Sequence, residues 1–323
     1  MPRFGFLAVL LCAPCSLLAA QATPYTPPHL PPPHGFRVFI VPDMEGMGSA
    51  VDIHEVIAGN EGEQYKTLTS PDYWDHFRSL LTREVNATIA GARLAGARSF
   101  VVNEGHGGNM FANILPWDLD TGAILVRGFP KPLVMVTGID STVGTLMFTG
   151  AHAGPGHPGI LAHNFAFDTF TVNGKSLNEV GINALIASEY GVAVSLVSGD
   201  DAEIAETRAI LGSGFIGIVT KYAVGRMAAI TFSPTQVRRW LRDSATVAVR
   251  RAMRGDFKPF RLDKPYHVAY ALRRSYPDVV VARVDSLNWT GLEKTGERSY
   301  RLTTDDARQM GYLLDAIERV VLR

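Results

Sequence analysis

Two acids flanking a single residue, Asp43-Met44-Glu45, stand just before Gly46 and just after an apolar, β-branched run, Arg37 to Val41. Such a pair at the carboxyl end of a strand can offer hard oxygen ligands to one or two divalent cations, with the glycine letting the chain turn away. The competing reading is a loop whose acids are solvated or cap the next element. Asn103-Glu104-Gly105-His106-Gly107-Gly108-Asn109 follows a second apolar run. A histidine among glycines has little to pack against, and its flexible backbone lets the imidazole approach a ligand closely. The same glycines would suit an anion cradle, but the lysine and Ser/Thr of a phosphate loop are missing. His152 follows a third run, Leu146 to Thr149. Ser176-Leu177-Asn178-Glu179 reads as a capping box, so Glu179 has a structural role open to it at a helix start as well as a ligand role.

Taken together, Asp43, Glu45, His106, His152 and Glu179 are two imidazoles and three carboxylates with no thiolate. That donor set suits a two-metal hydrolase using zinc or manganese. Gly154-Pro155-Gly156-His157-Pro158-Gly159 formally matches a dinucleotide fingerprint. Its prolines lack N–H donors and no helix pattern follows, so it reads as a structured loop joining His152 to His163, with His157 exposed. Of Asp200 and Asp201, one should cap a helix and the other could stand behind the ligands. The four tryptophans show no base-stacking spacing and read as core or interface residues.

Positioning these residues requires strands that end along one edge. Strand-like runs at Arg37 to Val41, Ser99 to Val102, Ala123 to Val126, Leu146 to Thr149, Val192 to Val197 and Ile216 to Val219 alternate with helical stretches. The helices include one opened by Ser70-Pro71 and running to about Leu94, another from Glu179 through Tyr190, and one around Ala202 to Leu211. Buried strands alternating with helices predict an α/β fold, a parallel sheet with helices on both faces. Asn173-Gly174 signals a hairpin turn. Ser233-Pro234-Thr235-Gln236 opens a helix to about Met253. Val268 to Leu272, Val279 to Val284 and Arg298 to Leu302 then read as strands, with a terminal helix from Thr304. That last stretch predicts a smaller α+β subdomain within residues 225–323.

The chain has 323 residues, formal net charge zero and a pI near 7.1. It lacks the excess positive charge on which nucleic acid or an anionic membrane surface would draw. Arg3, the apolar run Phe4 to Ala20 and Ala20-Gln21-Ala22 read as a signal peptide over residues 1–22, with a retained anchor as the alternative. The expected location is therefore periplasmic or extracellular, without stable membrane insertion once the signal is removed. Both cysteines, Cys12 and Cys15, fall inside that segment, so the mature chain would have no disulfide and no thiolate ligand. Residues 23–35 are a proline-rich linker, and the folded domain is expected over residues 36–323.

The order of these motifs resembles the M55 family of D-aminopeptidases, the DppA-like peptidases once described as dipeptide transport proteins. The matching pieces are Asp43-Met44-Glu45-Gly46, Asn103 with His106, His152-Ala153 with His163, and Asn173 to Glu179 running into Gly181-Ile182-Asn183-Ala184. Glu84-Val85-Asn86 and Gly199-Asp200-Asp201 look similar as well. The resemblance implies two divalent metal ions per chain, zinc first and manganese second, with Asp43 bridging them. It further implies Glu45 and His152 on one ion, His106 and Glu179 on the other, and His163 as a catalytic histidine that is not a ligand. The activity implied is aminopeptidase hydrolysis of short peptides, such as D-alanine-containing ones, by metal-activated water. The assembly implied is a ring-shaped homo-oligomer, such as a decamer. The alternatives are another two-metal hydrolase, a phosphoesterase or amidase, and an exported non-catalytic protein that binds metal or peptide.

Overall fold

The computed structural model describes residues 30–57 and 71–321. The signal segment, both cysteines, linker residues 23–29 and the Ser70 cap lie outside the described residues. In chain order the elements are β1 (Arg37–Pro42), α1 (Ile53–Val56), α2 (Pro71–Leu94), β2 (Ser99–Asn103), β3 (Ala123–Val126) and β4 (Val143–Ala151). There follow β5 (Phe167–Val172), β6 (Lys175–Ser176), α3 (Glu179–Ser188), β7 (Val194–Asp200), α4 (Asp201–Leu211), β8 (Ile216–Gly225) and β9 (Ala228–Thr231). The chain ends with α5 (Pro234–Met253), β10 (Tyr266–Leu272), α6 (Asp278–Asp285), β11 (Leu292–Lys294), β12 (Ser299–Thr304) and α7 (Arg308–Val321).

The larger sheet has the order β3-β2-β1-β4-β7-β8-β9, parallel throughout except for the β8–β9 hairpin. Successive strands run outward from β1 in one direction to β2 and β3, and in the other to β4. The connections therefore leave β1 on opposite sides, which opens a crevice beyond the carboxyl ends of β1 and its neighbours. All six residues of β1 are buried, and their alternation divides the core. Val38 and Ile40 pack with α2 and α5 through Leu81, Val85, Ile89, Val237 and Leu241. Phe39 and Val41 point to the opposite core, which also takes Val180, Leu185, Leu313 and Ile317 from α3 and α7. Both faces are thus covered by helices, as the apolar strand runs require.

A second, antiparallel sheet has the order β11-β12-β10-β5-β6. Its core strand β10 pairs with β12 on one side and β5 on the other. This corrects the expected division of the chain: β5 and β6 come from residues 167–176, and α5 packs on α2 against the larger sheet. The Asn173-Gly174 turn between β5 and β6 has both residues at positive φ, 52° and 76°, as a tight hairpin demands.

Val279 to Val284 is helix α6, not the expected strand. Its β-branched composition favours a strand, but Val280, Val281 and Val284 are buried while Val279 is 57% exposed. That spacing belongs to one helical face, and burial overrides local propensity. Smaller differences concern ends. Strand β7 begins at Val194, β8 runs on to Gly225, and α7 starts at Arg308, because sheet pairing and packing extend or trim what local pattern proposes.

The helical reading of α6 has a measurable consequence. Val281→Ala and Val284→Ala should each destabilise the protein by about 1–3 kcal/mol through lost methyl burial. Val279→Ala should stay within about 0.5 kcal/mol of wild type in urea denaturation. Equal costs at Val279 and Val281 would indicate the strand-like alternation instead.

Candidate metal centre

Asp43 and Glu45 leave the end of β1, His106 follows β2, and His152 is the first residue after β4. Glu179 is the first residue of α3. All five side chains are 3–6% exposed, and they converge at the switch point of the larger sheet. The loop after β1 reaches this place by pressing directly on β4. Asp43 N donates to Thr149 O and Gly46 N to Gly150 O, both at 2.8 Å. A Cβ on Gly46 would stand 1.8 Å from Ala151 O, so no other residue fits without moving the strand. Gly108 likewise makes room for the imidazole: a Cβ there would lie 2.4 Å from His106 Nε2.

The two oxygens of Asp43 face different histidines. Oδ1 is 3.3 Å from His106 Nδ1, and Oδ2 is 3.6 Å from His152 Nε2. Glu45 Oε2 lies 2.8 Å from the same His106 nitrogen. Glu179 Oε2 lies 3.6 Å from His152 Nε2. The side chains form three groups, each with ligand atoms within 4.8 Å of one another: Asp43, Glu45 and His106; Asp43, His152 and Glu179; and Glu45, His152 and His163. Glu45 is thus within reach of both histidines, its shorter contact being with His106, and the pairing with His152 that the family resemblance implied is present in the third group.

Each histidine turns its other ring nitrogen to a backbone carbonyl. His106 Nε2 is 2.6 Å from Val56 O, and His152 Nδ1 is 3.1 Å from Ala153 O. With those nitrogens donating, His106 Nδ1 and His152 Nε2 face the carboxylates and are the ones free to coordinate once deprotonated, the orientation metal-ligating histidines adopt. Met135, Phe148 and Val180 line the small cavity beneath Asp43, His152 and Glu179. Among the described residues, the ion pairs of the three carboxylates are with His106 and His152. Three buried acids with imidazoles and no lysine or arginine partner form a donor set that divalent cations would neutralise, so the residues present fit a two-metal site.

The capping reading of Glu179 does not hold. Asn178 is the N-cap, its side chain accepting from Gly181 N at 2.9 Å, and Ser176 belongs to β6. Glu179 Oε1 accepts from Phe165 N at 2.6 Å, which leaves Oε2 for the centre. His163 lies beside the ligands. Its ring stacks on that of His152 with centroids 4.1 Å apart, and its Nδ1 is 2.8 Å from Leu161 O. Leu161 and Phe165, on either side of it, adopt positive φ of 50° and 36°, uncommon for such residues and a sign that the loop is held by its surroundings.

Other residues fall as follows. His157 is exposed, with Nε2 3.2 Å from Glu206. Asp200 caps α4, and Asp201 accepts from Ala223 N at the β8–β9 side, away from the ligands. Trp74 is buried, but Trp117 is 74% exposed, neither core nor covered within this chain. Sequence reasoning missed the buried polar supports. Asn178 donates to Glu203 and Glu206, and Glu206 also accepts from Gly154 N at 2.7 Å, which ties the loop after His152 to α3 and α4. Lys131 donates to Asn103 Oδ1 and to the Glu104 carbonyl. Lys221 donates to three carbonyls of the loop after β1. A lysine continuing an apolar strand, as Lys221 does, is the one signal that pointed to such a role.

Electrostatics follow from this crowding. Burial, and then the charge of Glu45, raise the Asp43 carboxyl to about 7. Burial alone would lower the His106 pKa, but Glu45 and Asp43 outweigh it and raise it to about 10. His152 is also raised, against its burial, by Glu179 and Asp43. His163 moves the other way: burial and the neighbouring His152 lower it to about 4.

A D-aminopeptidase family model, peptidase M55, matches residues 36–316. The D-aminopeptidase of Bacillus subtilis (strain 168) is 29% identical over 216 residues, 66% of this chain and 74% of that protein. Among solved structures, a Zn-dependent D-aminopeptidase, DppA from Bacillus subtilis, described as a self-compartmentalizing protease, matches with a TM-score of 0.77. The match is 24% identical and covers 89% of this chain and 98% of that one, a likeness of fold.

A proton count tests the centre directly. With its pKa raised to about 10, metal-free His106 is protonated at pH 7 and must lose that proton before Nδ1 can coordinate. Metal uptake should therefore release protons into a weakly buffered solution, and affinity should rise with pH between about 6 and 8. Uptake without proton release, in buffers of different ionisation enthalpy, would contradict the paired His106–Glu45 arrangement.

Proposed function

The chain belongs to the M55 family of D-aminopeptidases, and from that premise we propose that it is an exported two-zinc aminopeptidase acting on short peptides such as those containing D-alanine. One observation carries the metal assignment: both oxygens of the buried Asp43 are used, each facing the ring nitrogen that a different histidine turns away from a backbone carbonyl. Asp43, Glu45 and His106 would hold one ion, and Asp43, His152 and Glu179 the other. Metal ions there supply Lewis-acid polarisation of the scissile carbonyl and a water nucleophile at neutral pH.

The protein's own groups do the rest. Asp43 keeps the two halves in register, and the apolar floor of Met135, Phe148 and Val180 excludes water beneath them. His163 is neutral near pH 7, with Nδ1–H committed to Leu161 O. Its Nε2 is then the open nitrogen, suited to accept a proton first and pass it to the leaving amine. Stacking on His152 fixes the ring plane beside the centre. The signal segment supports export, and the self-compartmentalizing habit described for the Bacillus subtilis relative supports a ring-shaped homo-oligomer.

Purified mature protein should contain close to two divalent ions per chain, cleave D-alanine dipeptides, and lose activity on chelation. Unchanged turnover in chelator would sink the reading. His163→Ala should keep both ions and the fold while kcat falls by about 10²–10⁴-fold. KM should change much less, since the imidazole acts on the transition state. Loss of one metal equivalent in that variant would instead make His163 a ligand, and a drop in melting temperature with normal kcat would make it a packing residue.

A further inference from the structure

Four of the five candidate ligands have their own local restraint. Asp43 is fixed by the backbone bond to Thr149, Glu179 by Phe165 N, and both histidines by carbonyls. Glu45 is different: among the described residues no backbone N–H holds its carboxylate, which lies 2.8 Å from His106 Nδ1, and the loop that follows is tied to β4 only through Gly46 N on Gly150 O. What shapes that loop is Lys221 on β8. Its fully buried ammonium donates to the carbonyl oxygens of Glu45, Met47 (2.9 Å) and Ala50. Three donors meet three acceptors, all from one six-residue segment, so the chain from Glu45 to Ala50 is curled around a single charge. Among the described residues Lys221 forms no ion pair, although Asp200, Glu84, Glu45 and Glu55 supply a negative field around it.

A buried, unpaired ammonium is costly, and a neutral donor would satisfy one carbonyl at far lower desolvation. The charge is retained where it gathers three carbonyls at once. Two weaker contacts support the same loop: Thr220 Oγ1 donates to Gly46 O at 2.7 Å, and Gly48 N donates to Glu84 Oε1 at 3.1 Å. We propose that Lys221 is a positioning residue for the metal centre, holding the Glu45–Ala50 loop so that Glu45 stays on His106, and that its loss weakens the Glu45–His106 half selectively. The proposal rests on the two-metal reading above. It assigns Lys221 no contact with substrate or metal.

Stepwise metal titration against a chelator of known affinity tests it on the full-length mature protein. Wild type should show two binding steps, and Glu45→Gln identifies which step belongs to the His106 side. Lys221→Met should weaken that step by about 10–100-fold, the usual effect of removing a group that orients a metal ligand. The other step should move less than about threefold. Thr220→Val should weaken the same step to a smaller degree. Leu313→Ala, in the core beneath α7, should lower stability and leave both affinities intact. Equal weakening of both steps by Lys221→Met, or no weakening of either, overturns the proposal. If Lys221→Met does not fold, Thr220→Val decides by the same criterion. A wild-type protein that takes up no metal at all would overturn the two-metal reading, and this proposal with it.

Discussion

Three carboxylates, Asp43, Glu45 and Glu179, are held almost without solvent and within reach of one another. Desolvation and mutual repulsion both oppose that arrangement. In a metal-free chain two imidazoles carry part of the compensation, which is why His106 and His152 retain protons so strongly. The remaining force must come from a scaffold that does not yield. Parallel strands with helices on both faces are such a scaffold, and near the ligands backbone N–H groups are tied to strands, as Asp43 and Gly46 are to β4, or to buried carboxylates, as Gly154 is to Glu206.

The rigidity is uneven, and the unevenness matters chemically. Beneath β4 the Asn178, Glu203 and Glu206 network locks the start of α3 to the loop after His152. Glu203 is pushed well above the ordinary glutamate range by burial, and its two oxygens accept from Asn178 Nδ2 and Thr207 Oγ1. On the β2 side, Lys131 holds the backbone of Glu104 and the side chain of Asn103 just before His106. Strain recurs around the centre: Leu161 and Phe165 beside His163, Met110 and Phe111 after His106, and the β-branched Val134 all take left-handed backbone angles.

Much of this was legible in the chain. The ends of β1, β2 and β4 follow from apolar runs bounded by glycine and polar residues, and they locate Asp43, His106 and His152 along one edge. The hairpin at Asn173-Gly174 and the starts of α4 and α5 follow from turn and capping chemistry. What was not legible depends on contacts across the fold. Glu179 has the spacing of a capping-box residue after Ser176, but the helix starts two residues later, so only tertiary placement reveals where its oxygens go. The valines of α6 suit a strand by local preference, and only burial identifies the helical face. The pairing of Glu45 with His106 depends on strand order, which no local pattern encodes. Lys221 continues an apolar run in the sequence, but its carbonyl partners lie on the loop after β1 and emerge only from the fold.

The segment carrying His163 leaves the larger sheet after β4 and ends by entering β5, the strand that pairs with β10 from far along the chain. The general acid–base candidate is therefore slung between two sheets, with Asp43, Glu45, His106 and His152 at strand ends of the larger one and Glu179 just after β6 of the smaller. The smaller sheet is consequently not a detachable module: its first strands precede most of the larger sheet's later elements in the chain, and its seating sets the reach of the imidazole. The same segment also carries Phe165, whose N–H holds the Glu179 carboxylate and whose carbonyl takes a bond from Arg273 just after β10, so the smaller sheet bears on a ligand as well as on His163. For an evolving lineage this couples two traits, how tightly the ions are kept and how quickly a given peptide is processed, to a sheet whose strands carry none of the five candidate ligands.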